Sequence, residues 1–369
     1  MPEPASDGLS PAGAVDRAGA DSRLVSAADL KAFLARAFLA LGVPQKDAGT
    51  VAGLMVEADL YGADTHGSFR LQQYKQRLVD GGTNATPKVR VVEDSGATAV
   101  VDGDNGLGHL ALLFATELAI EKAKRHGIGW VGVRNGNHAG PASLYVRRLL
   151  AHDMIGLYAA VGSANHVPPW GGAELLLGTN PLAVAVPGGE EPPFVLDMAT
   201  TVAAAGKIKT LAQRGESMPE GWMVGRDGKP LTDPNRQKDG LLLPIGGPKG
   251  YGLALAIGLL AGVLNGAAFG RNVVDFTADT TSPTNTGQFI AAISLGAFGP
   301  VPAFKSAVDR AFRDLRASKT LPGFESVRIP GDRSEEVYRE RSASGIPLHP
   351  NLLKVLREIA GELKIAPLD

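Results

Sequence analysis

The chain has 369 residues, with 37 Lys and Arg against 38 Asp and Glu and no Cys, giving a formal net charge of -1. That balance offers no global attraction to a nucleic-acid backbone, and the missing thiol excludes disulfides, a thiolate nucleophile, Cys-ligated zinc and iron–sulfur clusters. Its 47 Gly are about one residue in eight against a usual ~7%, so the placement of glycine is what the composition asks to have explained.

Residues 1–22 mix Pro, Ala, Gly, Ser and acids without a basic start or an apolar centre, and are expected to be a disordered leader. Ser26 followed by Asp29 resembles a capping box, after which Leu30, Phe33, Leu34, Ala37, Phe38 and Leu41 recur at helical spacing up to Gly42. A second helix is predicted over 48–60, and a third over 68–79 that stops at Gly81-Gly82. Runs over 89–92 and 99–101 around Asp94-Ser95-Gly96 predict a β-hairpin, followed by a long helix over 106–125 closed by Gly127. Strands are predicted over 130–133, 155–161, 182–186 and 194–196, with a helix over 142–151 between the first two. The segment 215–248 is dense in Gly, Pro and Asp and is read as a long ordered loop beside a site. A helix over 250–268 carries Gly258, Gly262 and Gly266 four residues apart, which points to close helix packing. A strand over 289–294, a helix over 303–318, a return to the sheet over 327–329 and helices over 334–344 and 351–363 complete the chain.

This order is mixed α/β without steady strand–helix alternation, so a doubly wound parallel sheet is not expected. The length is near the limit of one core and predicts two subdomains: 23–85 with 300–369, mainly helical, and 86–299, which holds the strands. No uninterrupted apolar run reaches the ~18 residues of a membrane helix, and a cytoplasmic protein is expected.

If the third helix begins near His66, then His66, Arg70 and Tyr74 share one stripe, and an imidazole, a guanidinium and a phenol suit an acid–base catalyst, a carboxylate fork and a hydroxyl donor. The plainer alternative is a solvated helix face. His138, in Asn135-Gly136-Asn137-His138-Ala139-Gly140 after an apolar strand, reads equally as a functional loop residue or as the edge of an Asn/Gly turn. Gly246-Gly247-Pro248-Lys249-Gly250 places a glycine turn and a Lys before a helix, which suits a phosphate or a simple loop-to-helix junction. Asp197 reads as an orienter of an imidazole, a ribose ligand or an N-cap. No metal-ligand spacing, Walker A loop, nucleophile elbow or Rossmann fingerprint is present, and no metal is expected.

Taken together, the blocks resemble the type-2 malate/L-lactate dehydrogenase family over about residues 30–332. The carriers are Gly62-Ala63-Asp64-Thr65-His66-Gly67 with Arg70 and Tyr74, Asn137-His138-Ala139-Gly140, Gly178-Thr179-Asn180-Pro181, Asp197-Met198-Ala199-Thr200, Gly221-Trp222, Gly246 through Gly252, and Pro330-Gly331-Asp332. The resemblance implies a dimeric NAD- or NADP-dependent oxidoreductase with a non-Rossmann nucleotide-binding domain, a largely antiparallel mixed sheet, and a helical substrate and dimer domain. It implies that a 2-hydroxy acid and its 2-oxo acid are interconverted, or a cyclic 2-imino acid reduced, with His66 as proton donor or acceptor supported by Thr65 and Asp197. Arg70, Tyr74 and His138 would line the substrate. His138, Gly178, Thr179, Asn180, Asp197, Met198, Ala199, Thr200, Gly247, Lys249, Gly331 and Asp332 would hold the cofactor. Thr65 stands where Ser is usual, Asp332 where Glu is frequent, and His166 with Trp170 is expected to shape the pocket. The alternatives are a catalytically silent binding protein of the same fold and a metal-free hydrolase or lyase.

Overall fold

A strand that the sequence pattern does not announce, β1 (Arg23–Val25), precedes the first helix, α1 (Ala27–Ala40), in a computed structural model that describes residues 22–368. The leader expected over 1–22 therefore lies, but for its last residue, outside the described residues. Ser26 caps α1 by accepting the backbone N–H of Asp29 at 3.0 Å, and the chain leaves the helix through Gly42 at φ +84°. Next come α2 (Gln45–Leu60), α3 (Leu71–Val79), the hairpin β2 (Arg90–Ser95) and β3 (Thr98–Asp102), and α4 (Gly108–His126), closed by Gly127 at φ +81°. β4 (Ile128–Gly136), α5 (Ser143–Leu150), β5 (Met154–Ala160), β6 (Leu182–Val186) and β7 (Phe194–Met198) follow.

Beyond β7 the chain forms α6 (Ala205–Arg214), then β8 (Met223–Gly225) and β9 (Gly240–Leu242), which pair antiparallel. The expected loop over 215–248 is thus corrected: Met218, Met223, Leu231 and Leu242 are buried with Val167, Leu177 and Ile208 in a small core of their own, which a run without periodicity conceals. α7 (Pro248–Ile257) ends earlier than expected. It passes into a π-turn over Gly258–Gly262 and a 3-10 turn before Gly266, at φ +70°, stops it. Its glycines do not face another helix: a Cβ on Gly258 would lie 2.2 Å from the Phe269 ring, and one on Gly262 would lie 3.0 Å from Val161 of the chain leaving β5. The remaining elements are β10 (Thr286–Ser294), α8 (Val301–Arg316), α9 (Asp332–Ser344), β11 (Ile346–Leu348) and α10 (Pro350–Leu363). Residues 327–329 form no strand; the neighbouring Pro330 carbonyl accepts from Val195 N–H of β7 at 2.8 Å.

Among the described residues the main sheet has seven strands in the order β2-β3-β4-β10-β5-β6-β7, and only β3 and β4 run parallel. The architecture is therefore mixed α/β with a largely antiparallel sheet, as its strand order dictates. α4 and α5 cover one face over Val131, Val133, Ala160 and Ile290, while Trp130 and Phe289 stack at 4.1 Å on the other face beside Ile257 and Ala261. A second core joins α1, α2 and α3 to α10 and the β1–β11 pair. Asn265, buried at the end of the broken helix, donates to the carbonyls of Ala261 and Gln288 and so pins the helix end to β10. No helix of the described residues is long and apolar enough to cross a membrane.

Candidate active site

The turn between α2 and α3 is built around a buried carboxyl group. Asp59, 1% exposed near the end of α2, accepts the backbone N–H of Ser68 at 2.9 Å, and a Cβ on Gly67 would fall 1.9 Å from its Oδ1. Only glycine fits there. Arg341 of α9 closes the turn from behind by donating to the Asp59 carbonyl and to Asp64. As a result Asp64–His66 forms one short 3-10 turn and Ser68–Arg70 another, with Gly67 at ψ -135° between them. The single helical stripe expected from His66 to Tyr74 does not exist. Arg70 is instead tied back by its Nε, which donates to the Thr65 carbonyl at 2.8 Å, and by Nη1, which donates to Gln73 Oε1 at 2.9 Å.

Tertiary packing then brings in His138 from the end of β4. Its ring lies nearly parallel to that of His66, 5.5 Å apart at 19°, and its Nδ1 is 2.6 Å from the Tyr74 hydroxyl. Nδ1 of His66 is 3.0 Å from Thr65 Oγ1. Burial, with Arg70 second, brings the His66 imidazole down to about 4, and burial likewise holds His138 well below the usual 6.5. Both rings are accordingly neutral near pH 7. Burial raises the Tyr74 phenol above its ordinary range, so it remains a donor. Among the described residues Arg70 makes no ion pair, although burial disfavours its charge. An unpaired, half-buried guanidinium beside two neutral imidazoles and a fixed phenol is a place for a small carboxylate.

A second locus is made of backbone. Gly162 and Gly178 pass so closely that a Cβ on Gly178 would lie 2.6 Å from the Gly162 Cα. Asn180, fully buried at φ +27°, accepts from Gly162 N–H at 2.9 Å and donates to the Ala254 carbonyl of α7 at 2.7 Å. Thr200 bonds twice to the Thr179 carbonyl, and Ile245 N–H returns to the Thr200 carbonyl. The Gly178 to Asn180 turn, the strand end at Met198 and Ala199 with Thr200, and the loop before α7 thus form one unit. There α7 begins at Pro248 with Gly247 at φ +63°, no side chain caps it, and Lys249 is exposed and pairs with no described acid. Such a helix start presents partial positive charge to an anion.

Other expected residues have prior engagements. Asp197 accepts the N–H of Ser143 at 2.7 Å, so it caps α5 rather than the helix that follows it, and no imidazole is among its partners. Tyr74 is 1% exposed and lies behind His138, its hydroxyl directed at that ring. Gly331, at φ +108°, packs on Val195, while Asp332 accepts from Ile329 N–H and Arg316, both at 2.8 Å. Trp170 lies over Gly247, where a Cβ would be 3.1 Å from the indole, and His166 bonds through its backbone to Leu177 and Leu242. No group of three or more His, Asp or Glu among the described residues could hold a metal ion.

Sequence reasoning missed three contributors. His109 is fully buried, edge-on to Tyr74 at 5.5 Å, and among the described residues neither ring nitrogen finds a hydrogen-bond partner. Phe276 packs against both Tyr74 and His138. Arg77, also fully buried, donates to the Gly82 and Ser282 carbonyls at 2.7 Å and lies over the Phe276 ring at 4.7 Å, holding that segment against α3. Arg77 lies three residues after Tyr74, a spacing that could have flagged it; nothing local marks Phe276.

A family model described as malate/L-lactate dehydrogenase matches residues 25–357. L-sulfolactate dehydrogenase of Methanocaldococcus jannaschii is 42% identical over 322 residues, covering 87% of this chain and 92% of that protein. Ureidoglycolate dehydrogenase (NAD(+)) of Escherichia coli is 36% identical over 315 residues, covering 85% and 89%. The solved structure of malate dehydrogenase from Pyrococcus horikoshii superimposes with a TM-score of 0.86 at 34% identity, covering 96% of this chain and 99% of that one.

Proposed function

The chain belongs to the malate/L-lactate dehydrogenase family, and on that premise we propose that it interconverts a 2-hydroxy acid and its 2-oxo acid, with His66 exchanging the proton. The observation that carries this reading is Arg70, an unpaired guanidinium in a half-buried setting next to a neutral imidazole. A substrate carboxylate would neutralise it and fix the 2-carbon beside His66. In the oxidative direction the neutral His66 accepts the hydroxyl proton through its ring, and Thr65 Oγ1 at 3.0 Å orients it. In the reductive direction His66 first takes a proton from solvent and then delivers it to the developing alkoxide. His138, parallel to His66, would bind a substrate oxygen.

The backbone locus fits a dinucleotide. Gly178 and Asn180 with Met198, Ala199 and Thr200 form its wall, and Gly247 and Lys249 at the start of α7 would meet the pyrophosphate. When bound there, NAD or NADP supplies hydride chemistry that no side chain has. The NAD(+)-dependent ureidoglycolate dehydrogenase of Escherichia coli, 36% identical, supports a nicotinamide cofactor. A homodimer belongs to the same reading, and the exposed apolar Leu253, Leu260, Val263 and Leu264 support it; a monomer by light scattering would remove it. The reaction is tested by following NADH and NADPH absorbance over a panel of 2-oxo acids with one cyclic imino acid. Oxidation with at least one 2-oxo acid is expected. Cofactor binding without turnover of any of them would leave a silent binding protein.

A further inference from the structure

Nδ1 of His138 is approached by two groups of different character. The Tyr74 hydroxyl, 2.6 Å away, can donate or accept, whereas the backbone N–H of Gly140, at 3.4 Å, can only donate. A nitrogen facing an amide hydrogen carries none itself, so the Tyr74 hydroxyl must also donate to it and the proton of the neutral ring sits on Nε2. His109, the other imidazole against Tyr74, bonds through neither nitrogen and does not compete for the phenol. Nε2 of His138 has no hydrogen-bond partner among the described residues. His66 differs, because among the described residues its Nδ1 meets only the Thr65 hydroxyl, which adapts to either protonation state.

We infer that Tyr74 and the Gly140 amide lock His138 as a permanent Nε2–H donor, a specificity-determining group that takes an acceptor oxygen of the substrate and disfavours a protonated imine nitrogen at the same position. The two stacked imidazoles then divide the work: His66 moves a proton and His138 keeps its own. Two donors of like sign cannot face each other without cost, so a keto or carboxylate oxygen suits Nε2 where an iminium N–H does not. Tyr74 is on this view a positioning residue that acts through His138. The inference rests on the assignment of His66, Arg70 and His138 to the substrate side.

The tautomer is read without turnover by long-range proton–nitrogen correlation spectra of the full chain labelled at the histidine nitrogens, with His138 assigned by the signals lost in His138→Gln. The parent should show the Nε2-protonated pattern. Tyr74→Phe keeps the ring contacts and removes the short 2.6 Å donor, leaving only the long 3.4 Å amide contact, which is too weak to hold the tautomer alone; it should give a mixture of tautomers and raise KM for the preferred 2-oxo acid about tenfold, with kcat changed less. His138→Gln, whose amide nitrogen stands near Nε2, should retain more kcat/KM than His138→Asn, whose amide nitrogen stands near Nδ1. A parent spectrum protonated at Nδ1 overturns the inference even in a fully active enzyme. So does a Tyr74→Phe protein with unchanged tautomer and KM. Absence of all turnover beside an intact Nε2 pattern would instead count against the proposed reaction and leave the tautomer lock standing.

Discussion

Around His66 it is side chains that meet: an imidazole from one turn, a guanidinium from the next, a phenol from α3 and a second imidazole from the loop that leaves β4. Around Gly178 it is backbone that meets backbone, with Asn180 and Thr200 closing the gaps. The two regions are therefore vulnerable in different ways. Removing a functional group should damage the first and leave its shape, whereas adding a single methyl should damage the second.

The largest effect is expected for His66→Ala, which should lower kcat by about a hundredfold or more while leaving NADH or NADPH affinity unchanged, measured by steady-state kinetics and fluorescence titration. Parent-level turnover would remove His66 from proton transfer. Arg70→Ala should raise KM for carboxylate substrates and lower kcat/KM by roughly tenfold to a hundredfold, and Arg70→Lys should not restore it, because a point charge does not replace the fork. On the other side, Gly178→Ala should weaken cofactor affinity more than it changes the acid limb of the rate profile, since the new Cβ meets the Gly162 backbone at 2.6 Å. Equal affinity in parent and variant would place the cofactor elsewhere. Asp332→Asn sharpens the boundary between the regions. Both its oxygens are already bonded, so the expected result is a lower Tm, from a loss of about 1 to 3 kcal/mol, with cofactor Kd unmoved. A shifted Kd with an unchanged Tm would return Asp332 to the nucleotide site.

The smallest effect is in pH dependence. His66 is held near 4 and His109 near 3, both below the ordinary 6.5 through burial, so between those values and 6.5 the unfolded chain binds more protons than the folded one. Their contribution is complete above pH 6.5 and is lost as the pH falls through that window. Asp59, raised by burial to about 7, acts with the opposite sign: its contribution is complete below 3.8 and lost as the pH rises through 7. With the histidines in the majority, stability against urea should fall from pH 7 to pH 5, and His109→Phe should flatten that fall by up to about 1.4 kcal/mol per pH unit. An unchanged slope would mean that His109 is charged or paired in solution.

Much of this was legible in the chain itself. Ser26, Gly42 and Gly127 bound their helices where the capping pattern places them, and β6 has the limits its alternation predicts, because caps and period-2 patterns act within a few residues. The functional groups of His66, Arg70 and His138, on which the proposed reaction rests, were legible as residue types in polar, glycine-flanked turns. The hairpin inside 215–248 was not, since short strands with no regular alternation give no periodic signal.

What the sequence determined alone was therefore local: element types, the glycines a tight turn or close passage requires, and the functional groups on offer. Which of those groups meet was decided by tertiary structure. The buried Asp59 breaks the stripe that the His66, Arg70 and Tyr74 spacing implies, and Tyr74 turns to His138, 64 residues away, while Asp197 caps a helix that precedes it. A side chain's partner is set by which elements pack together, and a buried polar group takes whichever partner lies within reach, however far off in the chain.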